Sequence, residues 1–375
     1  MLRWVMEEIQ ASAALELRVV VTGAHLSPEF GMTVSEIESD GFVIDQRVEM
    51  LLSADTPTAI TKSIGLGMIG FADALAAIRP DILLVLGDRY EILAAVTAAL
   101  VARIPVAHVH GGETTQGAID EAIRHSITKM SQLHFVATQA YQNRVIQLGE
   151  EPSRVFCVGG LGIDGIRKTT LLTRTALEDC LGIRFLDRNL LVTLHPVTLE
   201  TETAESQMDE LLAALVNLQD TAIVFTMSNA DTDGRALLEK VKVFCERHAN
   251  AHWFSSLGHV RYLSLLAQVD AVVGNSSSGL TEAPTFKIAT INIGDRQLGR
   301  IRAQSVIDCS PTRESIADAL ATAYSPDFQA KLLAVANPYG DGGATSAIVE
   351  TLASCIGGIS LKKAFYDLPV RNYSA

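Results

Sequence analysis

The chain has 375 residues, 48% of them hydrophobic, and a formal net charge of −13. A chain of this length and composition buries a sizeable core, which excludes an intrinsically disordered protein and indicates two domains rather than one. The acidic balance excludes sequence-independent nucleic-acid binding, because neutralising phosphates requires clustered Lys and Arg.

Cysteine usage and the N-terminus bear on cellular location. The cysteines are odd in number, widely spaced and free of CxxC pairs: Cys157, Cys180, Cys245, Cys309 and Cys355. This pattern is typical of reduced thiols in the cytosol. The N-terminal MLRWVMEEIQASAALEL carries charges where a signal peptide is apolar, and we expect no apolar run of the roughly 18 residues that span a membrane. The sequence predicts a cytoplasmic protein with no membrane partner.

The first half of the chain alternates short apolar runs with amphipathic stretches. The runs predict five strands, in chain order LRVVVTG, DILLVLG, PVAHVHGG, LHFVAT and RVFCVGG. Their successive apolar residues indicate parallel strands buried on both faces. The stretches TAITKSIGLGMIGFADALAAIRP and YEILAAVTAALVARIP have apolar residues three and four apart and end near Pro, which predicts helices.

A charged stretch after Gly165 interrupts this alternation, which then resumes. The later runs predict strands at NLLVTLHP, TAIVFTMSN, AHWFSSLG, DAVVGNSSSG and IATINIG. We therefore expect an α/β protein of two doubly wound, Rossmann-like domains, 1–166 and 167–344, with a helix at about 345–375 returning to the first domain.

Polar residues follow many of these predicted strands. The segments are GDRYE, HGGE, HPVT, SNADTDG and GNSSSGLTE. Ligands bind beyond the carboxyl ends of strands in open α/β sheets. Each segment alone fits a helix cap or a turn, but five of them in two domains predict a binding site.

The segment GNSSSGLTE has features of a phosphate site. Ser276 and Ser277 would present backbone N–H groups and hydroxyls at a helix start, although capping alone also explains them. Glu282, one turn into that helix, could accept hydrogen bonds from sugar hydroxyls or only favour the helix dipole. Arg296, after another strand, could bind a diphosphate or be a solvated surface residue.

Carboxylates near strand ends characterise the first domain. Asp88, Glu113, Asp120 and Glu121 lie there, and Arg124 follows Asp120 by one helical turn. An exposed ion pair is the usual explanation of the Asp120 and Arg124 spacing. Carboxylates gathered in a cleft would instead drive each other's pKa values apart, giving one acid and one base for proton transfer.

Histidines suggest two further roles. His195 stands at a strand end, where an imidazole could contact phosphate or carry a proton, or be structural. His108 and His110 are two residues apart on one strand and so face the same side of the sheet, which suggests a metal site. No third ligand has metal-site spacing, so we expect no metal.

Four segments together resemble one enzyme family. LVLGDRYEILAA, HVHGGETTQGAIDEAIRHSITKMSQLHFVAT, LHPVT and VVGNSSSGLTEA, in this order, are similar to the hydrolysing UDP-N-acetylglucosamine 2-epimerases, from about Leu17 to the C-terminus. The resemblance implies a glycosyltransferase-B-like fold with the active site between the domains. It also implies conversion of UDP-GlcNAc to N-acetylmannosamine and UDP, by elimination of UDP and then hydration with inversion at C2. It implies no metal or redox cofactor and a homodimer or homotetramer.

The resemblance also implies roles for individual residues. It makes Asp88, Glu113 and Asp120 the acid/base carboxylates, oriented by Arg124 and assisted by His195 near the diphosphate. It places His25 near the sugar and assigns UDP binding to Arg89, Asn229, Ser276, Ser277, Glu282 and Arg296. Family members begin with a strand and a TGTRADYG-like loop before the helix that here starts near Leu2. We therefore expect that the chain is truncated or that its start was assigned too late.

Three alternatives remain open from the sequence. AHLSPEFG and VEMLLSADTP suggest action on UDP-N,N'-diacetylbacillosamine in legionaminic-acid synthesis. A glycosyltransferase of the same fold would need an acceptor to release UDP. A catalytically impaired UDP-sugar-binding protein would bind UDP without turnover.

Overall fold

The computed structural model describes residues 1–54, 56–114, 119–195, 204–218, 220–227 and 234–369. The chain divides into two compact units: Met1–Leu161 with Gly342–Ala375 form unit 1, and Gly162–Asp341 form unit 2. The chain first passes from unit 1 to unit 2 at the start of the helix Leu161–Lys168, a few residues before the domain boundary expected from the sequence.

Unit 1 contains two parallel sheets. Strands β1 and β2 pair with each other, and the other four lie in the order β3-β4-β5-β6. The strands are β1 (Val20–Thr22), β2 (Gln46–Val48), β3 (Leu83–Leu86), β4 (Val106–Val109), β5 (Leu133–Val136) and β6 (Val155–Cys157).

Unit 2 contains one six-stranded parallel sheet. Its order, β12-β11-β10-β7-β8-β9, is that of a dinucleotide-binding Rossmann sheet. The strands are β7 (Arg188–Thr193), β8 (Thr221–Thr226), β9 (Ala251–Phe254), β10 (Ala271–Gly274), β11 (Ala289–Ile293) and β12 (Val306–Cys309). Their side chains are largely buried, as expected for a sheet covered on both faces.

Helices connect the strands, as parallel pairing requires. In unit 1 these are α1 (Arg3–Ala11), α2 (Val34–Ser39), α3 (Pro57–Ile78), α4 (Tyr90–Val101), α5 (Ile119–Met130) and α6 (Gln139–Gln147). The next are α7 (Leu161–Lys168), α8 (Arg174–Leu181), α9 (Ala204–Leu215), α10 (Gly234–Arg247) and α11 (Gly258–Leu266). The last are α12 (Ser278–Thr281), α13 (Arg313–Ala323), α14 (Pro326–Leu332) and α15 (Ala344–Cys355).

Helix α15 packs in unit 1. Its Ala344 and Ile348 share a buried cluster with Val5 and Ile9 of α1 and with Phe135 of β5. The chain thus returns to its first unit after completing the second.

Helix α3 corrects one expectation from the sequence. By length and composition it is apolar enough to cross a membrane, whereas the sequence analysis expected no such run. Core helices of folded domains meet the same criteria, and Phe71 and Leu75 of α3 are buried against β2 and α4. We interpret α3 as a core helix.

Candidate active site

Two neighbouring strand ends position the first group of polar side chains. Strands β3 and β4 are parallel, with Leu86 beside Val109, and the Gly87 N–H donates to the Val109 carbonyl at 3.0 Å. The carboxyl ends of the two strands therefore lie at one edge of the sheet. Asp88, two residues after the end of β3, and His110, directly after β4, lie at that edge.

Arg124 of α5 joins this edge to the next helix. Its side chain is 2% exposed, and its Nε donates to Oδ2 of Asp88 at 3.0 Å. Nη2 contacts the same carboxylate, and Nη1 donates to the Glu113 carbonyl oxygen at 2.8 Å and pairs with Glu121. One guanidinium thus fixes Asp88, the Glu113 backbone and Glu121 around a single point.

The charge balance keeps this group assembled. Burial by itself would lower the pKa of Arg124, but the hydrogen bonds and charges of Asp88 and Glu121 outweigh it and raise the pKa. A permanently charged guanidinium with its donors in a fixed planar arrangement holds carboxylates in defined positions. Such an arrangement can support proton transfer by the carboxylates it orients.

The partner of Arg124 on α5 differs from the one expected. Among the described residues its ion pairs are with Asp88 and Glu121, three residues earlier, and not with Asp120, four residues earlier. Asp120 lies in the first turn of α5. Burial by itself would lower the pKa of Arg89, but the charges of Glu91 and Asp120 help to raise it.

Glu113 contacts a histidine that the sequence analysis considered only as a metal ligand. Its Oε1 lies 2.7 Å from Nδ1 of His110, and both side chains are about one-fifth exposed. The sequence could have predicted this contact, because the HGGE segment places His110 and Glu113 three residues apart. The structure therefore gathers Asp88, Glu113, Glu121, Arg124 and His110 at this edge of the sheet.

His108 has a structural role. Its Nε2 bonds the Gly87 carbonyl oxygen at 2.8 Å, and its Nδ1 bonds the Thr128 hydroxyl at 3.1 Å. Burial lowers its pKa to about 3, so the ring is neutral at physiological pH. With both nitrogens engaged, His108 has none left for a metal ion.

Arg89 and His25 are less tightly held. Arg89 is 64% exposed on its side chain and pairs with Glu91 at 3.4 Å. His25 is exposed in a short 3-10 helix, and its Nδ1 bonds the Thr33 hydroxyl at 2.7 Å. Both side chains have surface left for other contacts.

In unit 2 the ends of β7 and β10 are locked together. Asn275 is 1% exposed; its Oδ1 accepts from the His195 N–H at 2.7 Å, and its Nδ2 donates to the His195 carbonyl at 2.9 Å. This reciprocal pair fixes the backbone at His195. The sequence analysis missed Asn275, which had the same strand-end position as the serines after it.

Gly274 allows the close approach that this lock needs. Its φ is 133°, and a Cβ there would lie 1.9 Å from the Thr193 carbonyl oxygen. Only glycine fits such a position without displacing backbone.

We expect Gly274→Ala to lower the free energy of unfolding by about 3 kcal/mol, since strained backbone and a backbone clash act together. Gly182→Ala is the control, because Gly182 has φ 68° but nothing within 4 Å of its added Cβ. Urea denaturation compares the two. Equal losses would show that backbone conformation alone, and not contact with Thr193, governs position 274.

The serine-rich segment differs from the expected helix start. Helix α12 contains only Ser278–Thr281, and Glu282 is its C-cap, followed by a 3-10 turn. Glu282 therefore closes the short helix. Its carboxylate accepts from the Ser278 hydroxyl, which in turn accepts from Tyr262, and burial raises the pKa of Glu282. Ser276 and Ser277, directly before α12, are partly exposed.

Arg296 reaches the same strand end. Its Nη1 donates to the Asn275 carbonyl at 3.0 Å, and the buried Gln297 donates to that oxygen at 2.8 Å. The structure thus brings together Arg296, His195 and the segment that begins at Asn275. Asn229 lies outside the described residues.

Comparison with known proteins identifies the family. The family model described as UDP-N-acetylglucosamine 2-epimerase matches residues 7–353. The chain belongs to this family. It is 44% identical to the "GDP/UDP-N,N'-diacetylbacillosamine 2-epimerase (hydrolyzing)" of Campylobacter jejuni over 310 residues, covering 82% of this chain and 80% of that protein. It is 38% identical to the "Polysialic acid biosynthesis protein P7" of Escherichia coli, covering 96% and 92%.

A solved structure supports the fold. The UDP-GlcNAc 2-epimerase of Neisseria meningitidis bound to UDP-GlcNAc has a TM-score of 0.75 to this chain at 20% identity, covering 94% of this chain and 96% of that one. The predicted fold class, α/β with two Rossmann-like domains of glycosyltransferase-B type, is confirmed. The predicted membership of the epimerase family is confirmed as well.

Proposed function

We propose that this epimerase-family protein is a hydrolysing 2-epimerase that converts UDP-GlcNAc and water to N-acetylmannosamine and UDP. The buried Arg124, which holds Asp88 and Glu121 beside the Glu113 backbone, is the observation that carries the proposal. The C2 proton of the sugar is a poor acid, so its removal requires a positioned base. Departure of UDP requires that its growing charge be stabilised.

The reaction proceeds in two steps. A base removes the C2 proton, the C–H electron pair forms the C1=C2 bond, and UDP leaves with the C1–O pair. Water then adds at C1, and an acid returns a proton to C2 from the opposite face. Asp88, Glu113 and Asp120 supply the acid and base groups, and Arg124 orients Asp88 and the Glu113 backbone.

Unit 2 is assigned the nucleotide. Ser276, Ser277 and Arg296 bind the diphosphate, and His195 assists there. The His195 and Asn275 lock supports this role, because donors held rigidly stabilise charge without reorganising. Glu282 and Asn229 complete UDP binding. In unit 1, Arg89 also contacts UDP, and His25 lies near the sugar.

A second substrate is favoured by one comparison. The Campylobacter jejuni relative, at 44% identity, is named for N,N'-diacetylbacillosamine. The same C1 and C2 chemistry applies to UDP-N,N'-diacetylbacillosamine, since the second acetamido group lies away from the reacting carbons. The pathway name of the Escherichia coli relative favours UDP-GlcNAc instead.

The proposal extends to location and assembly. We infer a cytoplasmic homodimer or homotetramer that uses no metal or redox cofactor. Exposed apolar residues on unit 1 support self-association: Ile69 of α3 is 66% exposed and Val101 of α4 is 79% exposed.

NMR of each UDP-sugar with the protein in deuterated water tests the function. The expected result is UDP release without an acceptor and a C2-inverted product that carries deuterium at C2. Turnover of only the diacetylated sugar would make UDP-GlcNAc the wrong substrate. UDP binding without turnover of either sugar, or UDP release only with an acceptor, would contradict the epimerase assignment.

A further inference from the structure

His110 has a backbone conformation that residues other than glycine rarely adopt. Its φ is 67°, directly after the last residue of β4. A residue other than glycine in this left-handed region is strained by about 1–3 kcal/mol, and such residues cluster at functional sites. His110 therefore occupies a strained position at the same edge of the sheet as Asp88.

Glu113 determines which ring nitrogen of His110 is free to act. A carboxylate oxygen accepts hydrogen bonds, so the 2.7 Å contact makes Nδ1 the donor. The lone pair of the neutral ring then lies on Nε2. This is the arrangement in which a carboxylate orients an imidazole and stabilises the imidazolium that forms when the ring takes a proton.

The second ring nitrogen of His110 has no hydrogen-bond partner in the part of the chain that the structure describes. Among the described residues, Nε2 is buried and has no hydrogen bond. Leaving a buried polar atom without a hydrogen bond lowers the stability of the fold by about 1–3 kcal/mol. A folded protein keeps such an atom where a ligand can supply the missing hydrogen bond. Nδ1 of His125 and Nδ1 of His134 are also unsatisfied. The His134 ring is fully buried and His125 lies within the regular helix α5, whereas His110 is partly exposed and has a left-handed backbone at a strand end.

We propose that His110 is the base that removes the C2 proton, and that Glu113 is its positioning residue. This inference rests on the proposed function and changes one assignment in it: Glu113 acts through His110 and is not itself an acid or base. Nε2 takes the proton, the C2–H electron pair becomes the C1=C2 bond, and UDP leaves with the C1–O pair. The imidazolium is stabilised by Glu113 and returns its proton to solvent before the next turnover. Asp88 and Asp120 remain for the hydration step.

His110→Gly is the sharpest test, because glycine suits φ 67° and leaves a space for added imidazole. The variant is expected to melt no lower than wild type, to lose about 10²–10⁴-fold in kcat and to regain activity with imidazole. Asp88→Asn is the control that imidazole should not reactivate. Were His110→Gly unfolded, His110→Asn, which also tolerates this backbone, would take its place.

Glu113→Gln tests the positioning role. We expect a lower kcat, an unchanged KM and slower deuterium incorporation at C2, because the ring loses its orienting charge. A folded His110→Gly protein with wild-type turnover, or one that imidazole fails to reactivate, overturns the assignment. Failure of the wild-type protein to turn over either sugar would instead contradict the proposed function.

Discussion

Asp88→Asn is expected to lower kcat for the UDP-sugar by about 10²–10⁴-fold and to leave UDP binding unchanged. Asn has nearly the size of Asp and still offers an oxygen to Arg124, so the local structure is retained. Its amide cannot accept or return a proton at neutral pH. UDP release measures kcat, and calorimetry measures UDP binding, which we assign mainly to residues of unit 2.

The control for this prediction lies at the other end of the same strand. Asp81 is exposed and precedes β3, whereas Asp88 follows it. Asp81→Asn removes the same charge from unit 1 and should leave kcat unchanged. A comparable loss of kcat in both variants would mean that net charge or stability, and not position 88, causes the loss. Wild-type kcat in Asp88→Asn would show that Asp88 takes no part in proton transfer.

The strands were largely predictable, because burial on both faces leaves continuous apolar runs. All ten predicted strands are present, and the helices expected after the first two of them are α3 and α4. The two strands that were missed are β2, which contains Gln46 and Arg47, and β12, which contains Asp308. Both are short edge strands, where one side faces solvent and the apolar pattern weakens.

The site was predictable in composition but not in pairing. The strand-end rule pointed to Asp88 and Glu113 because parallel strands bring their carboxyl ends together, and the helical spacing from Asp120 pointed to Arg124. It could not show that Arg124 would contact Asp88, which is 36 residues away, in preference to Asp120 on its own helix. Sequence periodicity reports which face a residue occupies, and not which charge it meets across the fold.

Local backbone geometry was the least predictable feature. The left-handed conformation of His110 and the early end of α12 before Glu282 depend on packing around each strand end. Propensity gives little warning of either, since tertiary contacts override it at functional sites.

Glu150→Gln is expected to cause the largest loss of stability. The Glu150 side chain is 1% exposed and contacts three groups: His134 Nε2 at 2.9 Å, Lys129 Nζ at 2.6 Å and Lys363 Nζ at 2.7 Å. Removing one member of a buried ion network leaves the others uncompensated, at a cost of about 3–5 kcal/mol. Urea denaturation of the full chain measures this change.

The Glu150 cluster connects two segments distant in sequence. Lys129 is in the last turn of α5, the helix of Arg124, and Lys363 follows α15. Lys363 also donates to the Lys129 and Ser131 carbonyls at 2.7 Å. Amide hydrogen exchange in α5 should therefore be faster in Glu150→Gln. Lys363→Met should show a smaller increase in the same exchange rates. Lys362→Met, which changes an exposed neighbour, should leave them unchanged.

The stability that Glu150 contributes should disappear in acid. Burial by itself would raise the pKa of Glu150, but hydrogen bonds from His134, Lys129 and Lys363 lower it to about 2, below the ordinary 4.5. A carboxylate with a lowered folded pKa stabilises fully above pH 4.5 and loses that effect as the pH falls toward 2, here about 3 kcal/mol. Wild type and Glu150→Gln should therefore differ in stability at pH 7 and converge near pH 2.

The exposed Glu151→Gln is the control, and its stability should follow that of wild type at every pH. A constant difference between wild type and Glu150→Gln across this range would mean that Glu150 acts by packing and not by charge.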